Sequence, residues 1–268
     1  MESLRQQWRD GKSTLGGWLS SESSAVAEAM ALAGFDYVCV DMQHGVSDYT
    51  SAVRQIQAIL AVDATPIVRV PWNDPGIIGK MLDAGALGVI VPMVNSVAEA
   101  RAVVAACRYA PNGSRSFGPV LAAPRVAGNY MQWAQDNIAV IPMIETAQAV
   151  DDLDAILDVE GIDAVYVGPS DLSLTYGLPP VNNDGNPQFD AALAKIVEAC
   201  DKRGIVAGMH SNGGLIQRRL AAGFRMLTVA SDLGAMGVGF KVEMGKADRK
   251  STRLNSSHIL ISRMPSSA

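Results

Sequence analysis

Cysteines, charged residues and long apolar runs are all scarce in this chain of 268 residues. The three cysteines are scattered, which excludes a disulfide framework and a cysteine metal cluster and favours a reducing cytoplasm. No window holds the roughly 20 unbroken apolar residues of a membrane span, and residues 1–13 lack the apolar core of a secretory signal. The net charge of −5 argues against a nucleic-acid binder. We therefore expect a cytoplasmic protein whose partners are small molecules, with no nucleic acid and no membrane.

Apolar residues, by contrast, are plentiful. They make up 49% of the chain against 18% charged residues, which is enough apolar mass to offset chain entropy and excludes a disordered protein. The length suits one domain of about 250 residues or two of about 130, and α/β barrels are the usual single-domain case at this size.

Residues 250–268 differ in composition from the rest, with six serines, three basic residues and no acid. They resemble a translated sequencing-adapter run, and a natural flexible tail is the alternative. We exclude them, with His258, from the fold. The sequence thus predicts one domain over residues 1–249 and a non-native or disordered tail at 250–268. On the artefact interpretation, the natural C-terminus is missing.

Short Val- and Ile-rich runs alternate with amphipathic stretches along the body, a pattern typical of parallel strands covered on both faces. The predicted strands are Thr14–Leu19, Tyr37–Asp41, Pro66–Val70, Gly88–Val91, Ala139–Glu145, Ala164–Gly168, Val206–Met209 and Met226–Ala230. The predicted helices are Ser23–Ala33, Asp48–Val62, Asp74–Ala84, Ser96–Cys107, Thr146–Asp158, Asp190–Arg203, Gly213–Ala222 and Leu233–Gly245, with a further helix near Ser3–Arg9.

Eight strand–helix units predict an α/β fold of the (β/α)₈ TIM-barrel type, with the N-terminal helix capping the bottom of the barrel. A doubly wound open sheet is the alternative, but it would want a glycine-rich turn after its first strand, where this chain has SSESSA. Two long irregular stretches, 109–129 and 169–186, are predicted as functional loops that follow strands.

Polar residues stand at the ends of several predicted strands. In a barrel these ends converge on one mouth, where the active sites of such enzymes lie. The strand-end residues are Asp41, Arg69, Glu145, Asp171 and His210.

Glu145 and Asp171 are 26 residues apart and end neighbouring strands. Because adjacent strands lie about 4.8 Å apart, both carboxylates could reach one ion. Two carboxylates, waters and an oxygen-rich substrate suit a hard cation such as Mg²⁺ or Mn²⁺. The alternative is that each acid caps the helix that follows it.

Arg69 lies in an otherwise apolar strand, so its guanidinium must be paired or must face a polar cavity. It either binds an anion or forms a structural ion pair with an acid of the barrel. His44 follows Asp41 by three residues, and a carboxylate that holds an imidazole is one way to orient a general base. A purely structural His44 remains open.

Three further features complete the predicted site. The segment Gly168-Pro169-Ser170 offers two backbone N–H groups that could hold a substrate carboxylate, since proline has none. Trp18, near the mouth, is either a substrate contact or a packing residue. His210 either lines the mouth or closes its strand.

Six segments of this chain resemble the HpcH/HpaI class II pyruvate aldolases, whose best-known members cleave 4-hydroxy-2-oxoheptanedioate. They are GWLSS at 17–21, DMQH at 41–44, VRVPWND at 68–74, VPMV at 91–94, IET at 144–146 and VGPSDLS at 167–173. The resemblance implies a barrel that exchanges its last helix between subunits, in hexamers built as trimers of dimers. It also implies Mg²⁺, Mn²⁺ or Co²⁺ held by Glu145 and Asp171.

Two departures from the family concern the substrate. The family's best-known members carry a glutamine that contacts pyruvate where this chain has Met143, and an arginine expected near Ala123 is missing. The preferred aldehyde and oxo acid are therefore left open.

The parts predict a metal-dependent carbon–carbon lyase that cleaves a 4-hydroxy-2-oxo acid reversibly, through an enolate, to pyruvate or a related oxo acid and an aldehyde. Arg69 would stabilise the enolate charge, and His44, oriented by Asp41, would be the base. No lysine stands at a predicted strand end, which argues against a Schiff-base aldolase. The alternatives are a citrate-lyase-type enzyme acting on a CoA thioester and a metabolite-binding barrel without activity.

Overall fold

A computed structural model describes residues 2–62 and 64–247. The strands are β1 (Thr14–Leu19), β2 (Tyr37–Asp41), β3 (Thr65–Arg69), β4 (Gly88–Val91), β5 (Ala139–Pro142), β6 (Ala164–Val167), β7 (Val206–Met209) and β8 (Met226–Ser231). The helices are α1 (Leu4–Arg9), α2 (Ser24–Leu32), α3 (Tyr49–Leu60), α4 (Pro75–Ala84), α5 (Val97–Cys107), α6 (Tyr130–Asn137), α7 (Ala147–Asp151), α8 (Leu153–Leu157), α9 (Pro169–Thr175), α10 (Pro187–Asp201), α11 (Ile216–Ala221) and α12 (Asp232–Lys246). Single 3₁₀ turns cover Ala123–Arg125 and Gly213–Leu215.

The eight strands form one parallel sheet in the order β5-β4-β3-β2-β1-β8-β7-β6. Its two edges meet, because Met143, just after β5, pairs with Tyr166 of β6, and the Ile144 N–H donates to the Tyr166 carbonyl at 3.0 Å. The sheet is therefore a nearly closed barrel that alternates with helices. The predicted (β/α)₈ class is confirmed.

Apolar side chains pack against both faces of the barrel sheet. The strands are buried along almost their whole length, as their continuous apolar runs predict. The barrel interior is lined by Trp18, Tyr37, Cys39, Ile67, Ile90, Ile141, Met143, Tyr166 and Met226, among others. Leu4 and Trp8 of α1 belong to the same interior cluster, so the N-terminal helix packs against the inside of the barrel. The second apolar layer lies between the strands and the outer helices.

Helix α4 illustrates how local sequence sets the helix ends. The Asp74 carboxylate accepts the N–H groups of Gly76 and Ile77, and Pro75 occupies the first turn, where a missing N–H costs nothing. Gly85 ends the helix with φ +112°, a left-handed conformation that favours glycine. This pattern of caps explains why most helix positions could be predicted to within a few residues.

Apart from shifts at the ends of elements, three sequence expectations differ from the structure. The predicted helix 146–158 is split into α7 and α8, which meet at Asp152. The predicted loop 169–186 begins with helix α9, since Pro169 is well placed in a first helical turn. The stretch 109–129 does not follow a strand as predicted: it connects α5 to α6, ahead of β5, so it lies at the end of the barrel opposite the mouth.

The described residues fall into two compact units that divide after Asp232. The first contains the barrel, and the second contains the remainder of α12. No helix within residues 2–62 and 64–247 is long and apolar enough to cross a membrane. The tail proposed at 250–268 lies outside the described residues.

Candidate active site

A cavity of about 310 Å³ opens at the C-terminal ends of the strands. Its walls are formed by His44, Arg69, Met143, Glu145, Tyr166, Gly168, Pro169, Ser170, Asp171 and His210. Eight of the ten residues singled out in the sequence thus share one cavity. The other two, Asp41 and Trp18, are buried next to it and do not appear in its wall.

A second cavity, of about 380 Å³, lies at the opposite end of the barrel. Its walls include Gly85, Arg125 and Trp133 and none of the strand-end candidates. The chemistry-bearing residues therefore belong to the mouth cavity.

Arg69 and Asp41 form a buried, two-pronged ion pair. They are opposite each other in the register of β2 and β3. The Arg69 Nε and Nη2 groups donate to the two Asp41 carboxylate oxygens at 2.8 and 2.6 Å. Burial alone would raise the pKa of Asp41, but the hydrogen bonds and charge of Arg69 outweigh it, and the net effect lowers that pKa. Both groups are therefore charged at neutral pH.

Trp18 supports this ion pair from β1. Its indole Nε1–H donates to Asp41 Oδ2 at 3.1 Å, and the Arg69 guanidinium lies 4.8 Å from the centre of its ring. The same ring stacks on Tyr166 at 5.6 Å and meets His210 edge-on at 4.9 Å. Trp18 is only 3% exposed. In the structure its ring packs against Arg69, Tyr166 and His210 and so helps to fix the orientation of these cavity residues.

The Asp41 carboxylate also fixes the turn that carries His44. Asp41 Oδ1 accepts the backbone N–H groups of Gln43 at 3.1 Å and His44 at 3.3 Å. We expected the carboxylate to hold the imidazole itself, and the structure differs, because both oxygens are taken by Arg69, Trp18 and the turn. The exposed His44 side chain is thus placed through its backbone.

Glu145 lines the cavity and is 1% exposed. Its Oε1 atom accepts the Met93 N–H at 2.7 Å. The pKa of Glu145 is raised to about 7, mainly by burial and also by the nearby Asp171 charge, against the opposing effects of the Met93 N–H and Arg69. A buried carboxyl beside a second acid is the arrangement in which a bound cation restores charge balance.

Met93 was not singled out in the sequence analysis as a site residue. It has φ +55°, an unusual conformation for a side chain other than glycine. Asn95 helps to hold it, since the Asn95 Nδ2 group donates to the Met93 carbonyl at 3.1 Å, and Thr146 bonds to Asn95 Oδ1 in turn. The location of Met93 just after β4 was the one signal that the sequence offered. Its left-handed backbone conformation cannot be predicted from the sequence.

Neither acid of the predicted metal pair caps a helix. Thr146, not Glu145, caps α7 by accepting the Ala149 N–H at 3.0 Å. Asp171 lies inside the first turn of α9, after Gly168 at the N-cap position. Gly168 is required for a steric reason: a Cβ atom there would lie 2.3 Å from Glu145 Oε2. The loop therefore packs directly onto the buried carboxylate.

The donor set at the mouth fits a hard divalent cation. Within the described part of the chain, no group of three or more His, Cys, Asp or Glu residues is arranged to hold a metal. Glu145 and Asp171 supply two carboxylates in one cavity. Mg²⁺ and similar ions are commonly held by one or two carboxylates, with water and substrate oxygens completing the shell.

The remaining cavity wall combines apolar and aromatic groups with one imidazole. Met143 and Tyr166 are fully buried, and the Tyr166 hydroxyl is bonded to Thr228. Burial, followed by the charge of Arg69, lowers the pKa of His210 to about 4, while Asp41 opposes the shift. His210, whose role the sequence left open, therefore lines the mouth as a neutral group.

Comparison with known proteins places the chain among aldolases. The model of the HpcH/HpaI aldolase/citrate lyase family matches residues 14–237. A hydroxypyruvate/pyruvate aldolase of Rhizorhabdus wittichii is 38% identical over 237 residues, covering 88% of this chain and 94% of the relative. A 4-hydroxy-2-oxo-heptane-1,7-dioate aldolase of Escherichia coli is 37% identical over 235 residues, covering 86% and 88%.

The fold comparison agrees. A crystal structure of an HpcH/HpaI aldolase/citrate lyase family protein from Burkholderia cenocepacia superposes with a TM-score of 0.86 at 30% sequence identity. The match covers 92% of this chain and 99% of that one.

Proposed function

The chain belongs to the HpcH/HpaI aldolase/citrate lyase family, and from that premise we propose that it cleaves a 4-hydroxy-2-oxo acid to pyruvate, or a related 2-oxo acid, and an aldehyde. It is a pyruvate-type aldolase, as its relatives are named. The observation that carries the proposal is one cavity that holds Arg69, His44 and the two carboxylates Glu145 and Asp171.

Glu145 and Asp171 would hold a divalent cation, with Mg²⁺, Mn²⁺ or Co²⁺ as the candidates. A bound cation supplies positive charge that polarises the keto group of the oxo acid. Gly168 keeps the space beside Glu145 Oε2 open, and the Met93 N–H fixes the other oxygen of that carboxylate. These contacts orient Glu145 before any ligand arrives.

Arg69 stabilises negative charge on the substrate keto oxygen. Its Nε and Nη2 groups are bonded to Asp41, which locks the guanidinium plane while the side chain still lines the cavity. A pre-oriented cation costs no reorganisation when charge grows on the oxygen during C3–C4 cleavage. Asp41 and Trp18 are the positioning residues for this group.

His44 takes the proton of the 4-hydroxyl group in the cleavage direction and returns it in the condensation direction. The turn that Asp41 pins places its imidazole at the cavity wall, open to solvent for proton exchange. The Gly168 and Ser170 N–H groups, on the same wall, bind the substrate carboxylate, and Pro169 stiffens the segment between them.

Metal-dependent turnover tests the proposal. Pyruvate and a panel of aldehydes are incubated with the full chain and Mg²⁺, Mn²⁺ or Co²⁺, and condensation is compared with a chelated sample. We expect Glu145→Ala and Asp171→Ala to remove Mn²⁺ binding in a calorimetric titration while circular dichroism stays unchanged. Undiminished Mn²⁺ affinity in both variants would refute the metal assignment, and a wild-type chain that turns over no aldehyde would favour a metabolite-binding barrel.

We also propose that the protein is a cytoplasmic homo-oligomer. The three cysteines are buried and unpaired, which suits a reducing compartment. The family resemblance supports hexamers built as trimers of dimers that exchange α12. Sedimentation velocity at several protein concentrations measures the assembly directly.

A further inference from the structure

The imidazole of His210 is a polar cavity group that the proposed reaction does not use. It follows β7 and shares the cavity with Arg69 and Glu145. In the assignment above, the oxo-acid half of the substrate lies against Arg69, the two carboxylates and the 168–170 segment. His44 and His210 are the polar side chains that remain for the aldehyde half.

Packing, rather than hydrogen bonding, sets the orientation of the His210 ring. The His210 backbone N–H donates to the Val167 carbonyl at 3.1 Å. The ring meets Trp18 edge-on, with centroids 4.9 Å apart and planes at 90°. No hydrogen bond joins its two ring nitrogens to another residue in the described ranges, so they are available to a ligand.

The ring is also the polar part of an otherwise apolar wall. Met143 has no hydrogen-bonding group of consequence, and the hydroxyl of Tyr166 is engaged with Thr228. His210 is neutral at physiological pH, since its pKa is about 4. A neutral imidazole offers one N–H donor and one acceptor, and a hydroxyl group can accept a hydrogen bond from the first or donate one to the second.

We propose that His210 is a specificity-determining residue that hydrogen-bonds a hydroxyl group on the aldehyde half, so that the enzyme prefers short hydroxyaldehydes to plain aldehydes. The inference rests on the proposed function. An apolar aldehyde that fills the cavity would cover the partly buried imidazole and leave it without a partner, and a site built for a hydroxyl discriminates against such analogues for that reason.

Glycolaldehyde and acetaldehyde are the matched probes, because they differ by one hydroxyl group. The measured quantity is the ratio of their kcat/KM values with pyruvate and Mg²⁺, compared between variants so that differences in aldehyde hydration cancel. We expect His210→Phe, which keeps an aromatic ring against Trp18, to lower the ratio by about tenfold, the loss of roughly one hydrogen bond. His210→Asn, which keeps a donor and an acceptor, should recover part of the preference.

Tyr166→Phe is the matched control, since it alters another aromatic ring of the same wall whose hydroxyl is already bonded. Its ratio should equal that of the wild type. An unchanged ratio in His210→Phe would overturn the inference. A wild-type enzyme that condenses acetaldehyde as well as glycolaldehyde, at equal concentrations of the free carbonyl forms, would overturn it too.

A third measurement separates this inference from the function on which it rests. Exchange of the pyruvate methyl protons in D₂O needs the oxo-acid half of the site and no aldehyde. Wild-type exchange together with an unaffected ratio would overturn the role of His210 alone. Absence of exchange with every metal would overturn the proposed function, and the inference with it.

Discussion

At the scale of single residues, the site is organised by hydrogen bonds that fix two of its buried carboxylates, Asp41 and Glu145. Asp41 divides its oxygens between Arg69, Trp18 and the turn at residues 43–44. Glu145 gives one oxygen to Met93 and turns the other towards Gly168. Fixed carboxylates of this kind hold their neighbours in one orientation, which is what electrostatic stabilisation of a reaction requires.

Substitution of Arg69 and substitution of His44 should therefore impair different steps of the reaction. Arg69→Ala should lower both aldol cleavage and methyl-proton exchange of pyruvate by about 10²–10³-fold, since enolate formation needs its charge in either reaction. His44→Ala should lower cleavage by about 10²–10⁴-fold and exchange by less, because exchange involves no 4-hydroxyl proton. Proton NMR in D₂O with Mg²⁺ measures exchange without paramagnetic broadening. Wild-type exchange in Arg69→Ala would reduce Arg69 to a structural partner of Asp41.

His210 should make the fold sensitive to acid. Its pKa of about 4 lies below the ordinary value of 6.5, because burial and the Arg69 charge disfavour the protonated ring, with Asp41 opposing. Between pH 6.5 and 4 the unfolded chain binds a proton that the folded chain does not, so stability falls as the pH is lowered through this window. The expected loss is up to about 3 kcal/mol.

Urea unfolding of the wild type and of His210→Phe at pH 8 and pH 5 checks this expectation. The histidine-free variant should lose less stability between the two pH values than the wild type. An equal loss in both proteins would mean that His210 titrates normally in the fold.

At the scale of elements, the site depends on how closely the start of α9 approaches the end of β5. Gly168→Ala would place a Cβ 2.3 Å from Glu145 Oε2, and the nearest side chain that could yield is the carboxylate itself. We expect Mn²⁺ affinity to fall at least tenfold while the melting temperature changes little.

Gly79→Ala, in the middle of α4, is the matched control, because an added Cβ there meets nothing within 4 Å. It should keep wild-type metal affinity and gain slightly in stability through helix propensity. Equal metal affinity in both variants would show that the approach of α9 to Glu145 has no role.

At the scale of the whole molecule, regular elements were more predictable than the segments that follow them. The bounds of β1, β2, β4 and β7 follow from their apolar runs and agree with the structure to the residue. Strand β5 ends at Pro142, three residues before the predicted end, because beyond it the chain makes only a single bridge, from Met143 to Tyr166, before Glu145 enters the site. Apolar character continues through that segment, so the pattern could not show where pairing stops.

The sequence predicted which residues form the site better than it predicted the contacts between them. Strand ends converge in any parallel barrel, which is why Arg69, Glu145 and Asp171 could be grouped from the sequence. The pairing of Asp41 with Arg69 rather than with the imidazole depends on strand register, and the support from Met93 depends on a backbone conformation. Neither is encoded by spacing along the chain.

The segment 250–268 gives a prediction about the whole chain. Its composition breaks with that of the body, and its loss changes the net charge from −5 to −8 through Lys250, Arg253 and Arg263. A chain that ends at residue 249 should therefore keep its melting temperature, its turnover and its solubility, because a larger net charge does not promote association.

The control is a chain that ends at Val238, which removes half of α12, the helix proposed to be exchanged between subunits. That truncation should change the sedimentation coefficient, whereas the first should not. A drop of several degrees in melting temperature on removing 250–268 alone would show that these residues belong to the fold.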